Sequence, residues 1–413
     1  MKLKRLFMWL YPGIGIKRWI VLCAFGVILL VYGSSGLRLR GEDYFVLRVL
    51  DFVVLASGII ILILGIKHLM TSFINAVIPP SRENGLVDIL YQRKQLSRGP
   101  KIVAIGGGTG LATLLTGLKE YSSNISAIVT VADDGGSSGR LRQQFDILPP
   151  GDIRNCLVAL ADASTMMRDL FQYRFEEGSE LAGHSFGNLF ITVMTRLTGD
   201  FEKAIRETSK VLALRGQVIP STLDNVVLAA EHTDGTVTEG EYKIPLAKVP
   251  ISKVFLRPAH PQPAPEAMKA IEEADIIVLG PGSLYTSILP NLLVKGIPEA
   301  IVASKAIKIY VCNVMTQPGE TERYCASAHV KALIEHSNPK IIDYCVVNNG
   351  RIPPAILKRY EEQDSIPVAN DSSFIENAGY RVLGADVIFI ADDMVRHDPL
   401  KLASLITGLI DEV

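Results

Sequence analysis

The sequence predicts an α/β fold, in which a mostly parallel sheet carries helices on both faces, preceded by an N-terminal two-helix transmembrane hairpin. From Lys101 onward, short apolar runs alternate with longer segments of helical periodicity, which is typical of βα units. Several runs are continuous in Val and Ile, as expected of strands covered on both faces. Two longer apolar segments precede them. We therefore divide the chain into a hairpin (1–78), a linker (79–100) and an α/β domain (101–413).

The first apolar segment is Trp19–Gly36 and the second is Phe52–Ile66. Each is about long enough for one bilayer crossing, the second only just. A cleaved signal peptide is disfavoured, because no small-residue cleavage site follows the first segment and a second apolar segment does. On length and composition alone, two buried core helices remain the alternative.

Flanking cations predict the orientation of the hairpin. Five cations precede the first segment: Lys2, Lys4, Arg5, Lys17 and Arg18. Three cations lie between the segments, beside Glu42 and Asp43: Arg38, Arg40 and Arg48. Five cations follow the second segment: Lys67, Arg82, Arg93, Lys94 and Arg98. We therefore expect a multi-pass protein of the plasma (inner) membrane, with both termini and the main domain in the cytoplasm. The linker is polar, charged and bounded by prolines.

Charge and cysteine content narrow the classes of partner. The formal net charge is −1 over 413 residues, so nucleic acid is not expected as a partner. The five cysteines are scattered and none shows C-x-x-C spacing. A disulfide framework or a zinc site is therefore disfavoured, and we expect reduced thiols.

The α/β domain is assigned element by element. The predicted strands are Ile102–Ile105, Ser126–Val131, Val226–Ala230, Lys253–Leu256, Ile276–Leu279, Ile309–Asn313, Ile342–Val347 and Val387–Ala391. The predicted helices are Gly110–Tyr121, Ile153–Ala161, Met167–Phe175, Phe186–Leu197, Phe201–Ala213, Pro265–Glu273, Glu322–Ser337, Pro354–Gln363 and Pro399–Ile410. Thr236–Lys243 is predicted as an antiparallel β-hairpin. Ligands of such folds bind beyond the carboxyl ends of the strands, where the strand order reverses.

A glycine-rich loop follows the first predicted strand. It comprises Gly106, Gly107, Gly108, Thr109 and Gly110. Glycine lets the backbone approach a ligand closely, and amides that open a helix can hold a phosphate. The third glycine arrives one residue too early for the G-x-G-x-x-G dinucleotide motif, and no G-K-[ST] completes a P-loop. The loop predicts a Rossmann-like site for phosphate or sugar, with a ligand-free tight turn as the alternative.

A second polar and glycine-rich loop follows the next strand. Its candidate ligand-binding residues are Asp133, Asp134, Gly135, Gly136 and Ser137. Three interpretations remain open: a ribose-binding acid of a nicotinamide enzyme, a turn without a ligand, or a carboxylate pair that holds Mg²⁺ together with phosphates.

Further candidates occur at predicted helix starts. Two interpretations of Gly151–Asn155 stay open: Asp152 is a helix N-cap without a ligand, or Arg154 and Asn155 on the first turn lie near an anion site. His184 and Asn188 flank Ser185, for which a capping role is favoured over a catalytic Ser–His pair because no nucleophile elbow is present.

Two more loops contain candidates for anion binding. Gly282 and Ser283 form part of the Gly280–Ser283 loop, in which Ser283 is expected as a cap; a plain turn is the alternative. Arg396 offers a bidentate fork for phosphate, and an ordinary surface cation is the alternative that the pattern alone favours. No complete catalytic set is visible, so whether the protein is an enzyme stays open, with a binding role favoured. No cofactor is firmly predicted, and Mg²⁺ enters only with the transferase alternative below.

The combined motifs resemble the gluconeogenesis-factor (YvcK-like) family, which is related to 2-phospho-L-lactate transferase. They are IGGGTGLATLLTGLK, TVADDGGSSGRLR, PPGDIRNCLVAL, GHSFGNL, GPGSLYTSILPNLLV, GIPEAI and RHDPLKLA, between Lys101 and the C-terminus. The resemblance implies a Rossmann-like fold that binds UDP-sugars such as UDP-N-acetylglucosamine, and a role in cell shape and peptidoglycan supply during gluconeogenic growth. It implies ligand contacts from the Gly106–Gly110 loop and the Asp133–Asp134 loop, from His184–Asn188, from Arg396, and from Tyr360 stacked on the uracil.

The resemblance leaves an alternative activity open, a Mg-dependent transfer of a phosphoryl-linked group. Phospholactyl transfer itself is not expected, because GDIRNC (Gly151–Cys156) stands where the transferase has a different signature. We expect a homo-oligomer with partners among envelope-synthesis proteins.

Overall fold

The computed structural model describes residues 17–39, 44–77 and 94–410, apart from 177, 179 and 392, and no side chain within 73–77. The chain forms two compact units, Met1–Gln92 and Arg93–Val413, which are described separately. Most of the linker predicted at 79–100 lies outside the described residues, so its structure is not described before residue 94.

The first unit contains two helices, α1 (Lys17–Leu39) and α2 (Phe45–Val77). Both predicted apolar segments lie within them, and both helices are long and apolar enough to cross a membrane. Glycines let the two backbones approach closely, since a Cβ on Gly33 would lie 2.7 Å from the Leu55 nitrogen. Large apolar side chains outside this contact are exposed, Ile28 by 63% and Phe52 by 61%.

The second unit is organised around a seven-stranded sheet in which each described strand pairing is parallel. Its strands are β1 (Ile102–Gly106), β2 (Ile125–Val129), β3 (Gln217–Pro220), β7 (Ile276–Leu279), β8 (Ile307–Val311), β9 (Tyr344–Asn348) and β10 (Arg381–Ala385). Their order across the sheet is β10-β9-β8-β7-β1-β2-β3. All residues of β1 and β7 are buried, as their uninterrupted apolar sequences predict.

Helices connect and cover these strands. They are α3 (Gly108–Leu118), α4 (Gly136–Phe145), α5 (Gly151–Leu160), α6 (Thr165–Gln172), α7 (Phe186–Thr198), α8 (Phe201–Val211), α9 (Pro265–Glu272), α10 (Leu289–Leu292), α11 (Ile297–Ala303), α12 (Ala326–Glu335), α13 (Pro354–Glu361), α14 (Ser372–Asn377) and α15 (Pro399–Gly408). One continuous apolar core runs between them and the sheet. The α/β fold class is confirmed.

Two small antiparallel sheets stand apart from the main sheet. One contains β4 (Val227–His232), β5 (Val237–Glu239) and β6 (Ile251–Arg257), so two of the predicted strands belong to it. The other is a hairpin of β11 (Ile388–Ala391) and β12 (Met394–His397). The predicted hairpin within Thr236–Lys243 is wrong in its pairing, because β5 pairs with β4 and the chain turns irregular after Glu239.

Some elements escaped prediction for local reasons. Strand β3 has four residues and ends at Pro220, while the edge strand β10 is only partly buried and reads as mixed polar sequence. Helix α4 begins with Gly-Ser-Ser-Gly, which has low intrinsic helix propensity. In each of these the tertiary packing overrides a weak local signal.

The strand order reverses between β1 and β7. From β1 the chain proceeds outward through β2 and β3, and it later returns to β7 on the other side of β1 and continues outward to β10. In sheets of this kind the loops at the two adjacent carboxyl ends diverge and leave a crevice. The segments that follow β1 and β7 are the glycine loops at Gly106–Gly110 and Gly280–Ser283.

Candidate functional site

A cleft of about 570 Å³ lies at this point of reversal. The loops after β1, β7 and β8 line it, together with α13 and the β11–β12 hairpin. Among the predicted site residues it brings together Gly107, Gly108, Thr109, Gly110, Gly282, Ser283, Tyr360 and Arg396. Its volume falls within the range of about 300–1,000 Å³ that is usual for small-molecule sites.

The two glycine loops approach each other more closely than side chains would allow. A Cβ on Gly110 would lie 2.6 Å from the Pro281 carbonyl oxygen and 3.0 Å from the Gly282 Cα. Gly108 adopts a φ of +63°, in the left-handed region that favours glycine. Because α3 begins at Gly108, the N–H groups of Thr109 and Gly110 have no acceptor within the helix. Backbone therefore forms the wall of the cleft at this point, and the Thr109 and Gly110 N–H groups make no hydrogen bond within α3.

Tyr360 and Arg396 meet at another part of this cleft. The Val395 N–H donates to the Tyr360 hydroxyl at 3.0 Å, which ties α13 to β12. The Arg396 side chain is exposed and makes no hydrogen bond or ion pair with any described residue. This arrangement leaves an aromatic ring and an available guanidinium facing the same space as the glycine loops.

The remaining predicted residues mostly form a separate polar cluster behind the first glycine loop. The Ser137 hydroxyl lies 2.9 Å from His184 Nδ1, and Asn188 Nδ2 donates to it at 3.1 Å. Arg154 donates to Asn188 Oδ1 at 3.1 Å and to Asn155 Oδ1 at 2.7 Å. Burial, followed by the charge of Arg140, lowers the pKa of His184, so its imidazole is neutral at pH 7. Within the described residues, the Asn188 side-chain amide bridges Arg154 and Ser137.

The two aspartates of the second loop have different environments. Asp133 Oδ1 accepts a hydrogen bond from the Gly135 N–H at 2.9 Å, within the turn that leads to Gly136 and α4. Asp134 Oδ1 accepts from the Tyr242 N–H at 2.9 Å. Neither aspartate is among the described residues that line the cleft.

Asp152 links the polar cluster to the cleft. The prediction that it caps a helix is wrong: α5 begins at Gly151, its N-cap is Pro150, and Asp152 lies within the first turn. A Cβ on Gly107 would lie 2.6 Å from Asp152 Oδ2, so this carboxyl sits directly behind the glycine loop. Burial raises the pKa of Asp152, and the neighbouring Asp133 raises it further.

The glycine-loop residues at the edges of the cleft have structural partners. The Gly106 carbonyl accepts from Thr130 N–H at 3.0 Å and from Asn291 Nδ2 at 3.1 Å, which anchors the end of β1. The prediction that Ser283 is a side-chain cap is wrong, because its hydroxyl accepts from Gln317 Nε2 at 2.6 Å and makes no capping bond. Ser185, in contrast, caps α7 as predicted, accepting from the Asn188 N–H at 3.2 Å.

Sequence reasoning missed several polar residues of the cleft. Glu241 reaches it from the segment after β5, and Asn313 and Gln317 reach it from the loop after β8. Thr286 also lines it and donates to the buried Glu320, whose pKa is raised to about 7, mainly by burial. Asn313 ends a predicted strand and Gln317 follows it, so both were detectable in that way, whereas nothing local marks Glu241.

Comparison with known proteins decides the family. The family profile described as "2-phospho-L-lactate transferase CofD" matches residues 102–388. A putative gluconeogenesis factor of Nostoc sp. is 48% identical over 418 residues, covering 97% of this chain and 91% of that protein. The chain belongs to the gluconeogenesis-factor family, which is related to CofD.

Other members of the gluconeogenesis-factor family match about three quarters of the chain. The gluconeogenesis factor of Bacillus subtilis is 50% identical over 317 residues, which is 77% of this chain and all of that protein. A crystal structure of a upf0052 family protein from Bacillus halodurans has a TM-score of 0.72 and 48% identity, covering 74% of this chain and 98% of its own.

Proposed function

We propose that the globular unit binds a nucleoside-diphosphate sugar of the UDP-N-acetylglucosamine type in the cleft between the β1 and β7 loops. The observation that carries the proposal is the approach of these two loops, which excludes any side chain at Gly110 and exposes N–H groups at the start of α3. Such groups bind phosphate oxygens well, because the helix dipole adds to their hydrogen bonds.

The other lining residues supply the remaining contacts that such a ligand requires. Tyr360 offers a ring face on which uracil stacks, and Arg396 offers a charged fork for a phosphate or for the uracil oxygens. Asn313 and Gln317 carry side-chain amides suited to sugar hydroxyls. Burial and the nearby carboxylates raise the pKa of Glu241, which weakens the repulsion that it would exert on a diphosphate.

We further propose that α1 and α2 anchor this binding unit in the plasma membrane, with both termini in the cytoplasm. The exposed apolar faces of the two helices and the flanking cations support this arrangement. The protein then acts as a membrane-anchored, oligomeric regulator that senses a UDP-sugar and adjusts the supply of envelope precursors through protein partners. Retention of the chain in the membrane pellet after carbonate extraction is the expected result, and its release would contradict the anchor.

A second candidate function, Mg-dependent transfer of a phosphoryl-linked group, is favoured by one observation. Asp152 lies beside the first glycine loop, where burial raises its pKa and the charge of Asp133 raises it further, and a divalent cation would relieve the repulsion between the two carboxylates. The described residues contain no group of three or more His, Cys, Asp or Glu side chains placed to hold a metal ion. These two carboxylates fit Mg²⁺ only in company with ligand phosphates, to which the ion would lend charge neutralisation.

Calorimetric titration separates the two functions. UDP-N-acetylglucosamine is expected to bind and to be recovered unchanged after incubation with Mg²⁺, whereas its consumption would favour the transferase. Arg396→Ala should weaken binding about 10- to 100-fold, which corresponds to about 1.5–3 kcal/mol for a hydrogen bond to a charged group. Arg206→Ala, on the exposed face of α8, is the matched control and should bind normally. Equal affinity in wild type and Arg396→Ala would remove Arg396 from the site.

A further inference from the structure

A second cavity, the threonine groove, runs along the outer flank of α3. It has a volume of about 410 Å³ and lies between α3, α5, α6 and the β12 strand. Thr109, Thr113 and Thr116 form its floor at helical spacing, while Asn155 and Arg168 face it from α5 and α6. The proposed nucleotide site uses only Thr109 of these residues.

Arg168 has unused hydrogen-bonding capacity in this groove. Its Nε atom is buried and has no hydrogen-bond partner among the described residues, and its only hydrogen bond, from Nη2 to the Thr165 hydroxyl, is long at 3.4 Å. The adjacent Asp169 forms no ion pair with it in the part of the chain that the structure describes. A buried guanidinium donor without an acceptor is costly, so an anionic group in the groove would remove that cost.

Lys119 adds positive charge, although two of its three ammonium hydrogens are already used. Its Nζ donates to the Ala159 carbonyl at 2.8 Å and to the Ala161 carbonyl at 3.1 Å, at the C-terminal end of α5. Burial and then the charge of Arg168 lower the pKa of Lys119. The mutual repulsion of Lys119 and Arg168 indicates that this end of the groove is electropositive and favours an anion.

The threonine stripe offers the complementary chemistry. Thr113 donates its hydroxyl hydrogen to the Thr109 carbonyl at 2.9 Å, and Thr116 donates to the Ala112 carbonyl at 3.0 Å. Their oxygen lone pairs therefore remain available as acceptors, and Gln172 adds an amide. The threonine hydroxyl oxygens form a row of hydrogen-bond acceptors next to the end of the groove that contains Lys119 and Arg168. This arrangement matches a ligand that carries several hydroxyl groups and one anionic group.

We propose that the threonine groove is a second binding site, for a small phosphorylated sugar, with its phosphate at Arg168 and its hydroxyls along the threonine stripe of α3. Thr109 and Arg396 line both this groove and the nucleotide cleft. An occupant of the groove would therefore contact the same side chains as a ligand in the cleft, which gives a direct route for one to alter the affinity of the other. The proposal does not depend on the identity of the nucleotide ligand.

The test titrates the full chain, reconstituted in phosphatidylcholine nanodiscs, with glucose 6-phosphate, N-acetylglucosamine 1-phosphate, glucose and inorganic phosphate. We expect at least one sugar phosphate to bind more tightly than glucose or phosphate alone. Arg168→Gln should reduce that affinity at least tenfold, while Lys210→Gln, an exposed lysine on α8, should leave it unchanged.

A third variant separates the sugar contacts from the charge. Thr113→Val keeps the shape of the side chain and removes the hydroxyl, so it should weaken sugar-phosphate binding without altering the binding of inorganic phosphate. Circular dichroism verifies that each variant is folded. Absence of binding by both sugar phosphates at millimolar concentration, equal affinity of the Arg168→Gln variant, or equal binding of phosphate alone would each overturn the proposal.

Discussion

The contact between α3 and α15 gives the sharpest prediction, because two glycines in these helices differ only in the space around them. A Cβ on Gly117 in α3 would lie 1.9 Å from the Pro399 carbonyl oxygen at the start of α15, about 1.5 Å short of ordinary van der Waals contact. A Cβ on Gly408, at the end of α15, would meet nothing within 4 Å. Alanine at either position gains helix propensity, up to about 1 kcal/mol.

The magnitudes decide the sign of each effect. At Gly408 only the propensity gain applies, so Gly408→Ala should stabilise the globular unit slightly. At Gly117 the gain is opposed by overpacking against a backbone carbonyl, which typically costs about 1–3 kcal/mol. We expect Gly117→Ala to be destabilised by about 2 kcal/mol, which lowers the Tm by about 3 °C for a unit of roughly 320 residues, whose unfolding entropy is about 2.1 cal/mol/K per residue.

Differential scanning calorimetry of the full chain in nanodiscs measures this difference. Pro399 lies three residues after Arg396, so a displacement of the start of α15 should also weaken the ligand contacts of Arg396. The reasoning would be refuted if Gly117→Ala raised the Tm as Gly408→Ala does, because the close approach of the two helices would then have no energetic consequence.

The remaining predictions concern the cleft. Gly110→Ala should reduce UDP affinity at least tenfold, because its Cβ would push against Pro281. In the control, Gly106→Ala, the new Cβ meets ordinary contacts at 3.6 Å, so this variant should bind UDP normally. Equal affinities of the two variants in calorimetry would contradict phosphate binding between the two glycine loops. Glu320 has a folded-state pKa raised to about 7, mainly by burial. Below the unfolded pKa of about 4.3 the carboxyl is protonated in both states, so it does not affect stability. Between about pH 4.3 and pH 7 it increasingly destabilises the folded state, and above pH 7 the destabilisation has reached its full size. Glu320→Gln, which retains an acceptor and donor for Thr286, should therefore stabilise the protein by about 1–3 kcal/mol at pH 8 and little at pH 4. Denaturant titrations measure the free energy of unfolding of variant and wild type at both pH values. If the two proteins differed by the same amount at pH 4 and pH 8, ionisation of Glu320 would be excluded as the cause.

The sequence alone determined the fold class and the positions of the glycine loops. Continuous Val and Ile runs such as Ile276–Leu279 can satisfy their burial only inside a covered parallel sheet, so β1 and β7 were recognisable without any tertiary information. The glycines of Gly106–Gly110 reveal the loop itself, because a run of residues without a Cβ has few other uses at a strand end.

The tertiary structure decided which loops share the cleft. The chain order places the Asp133–Ser137 loop next after Gly106–Gly110, which made it the expected partner in ligand binding. The reversal of strand order instead puts Gly280–Ser283 against the first loop, and the second loop contributes to a polar cluster behind it. No local pattern encodes strand order, since it results from the packing of distant segments into one core.

The same distinction applies to single residues. Asp152 has the sequence of a helix cap, but the three-dimensional fold places its carboxyl beside Gly107, where burial and then the charge of Asp133 raise its pKa. Thr113 and Arg168 are unremarkable in the sequence because nothing links them until α3 and α6 pack side by side. Local sequence specifies where a chain turns and which residues are buried, whereas the electrostatics of a site depend on distances that only the assembled core sets.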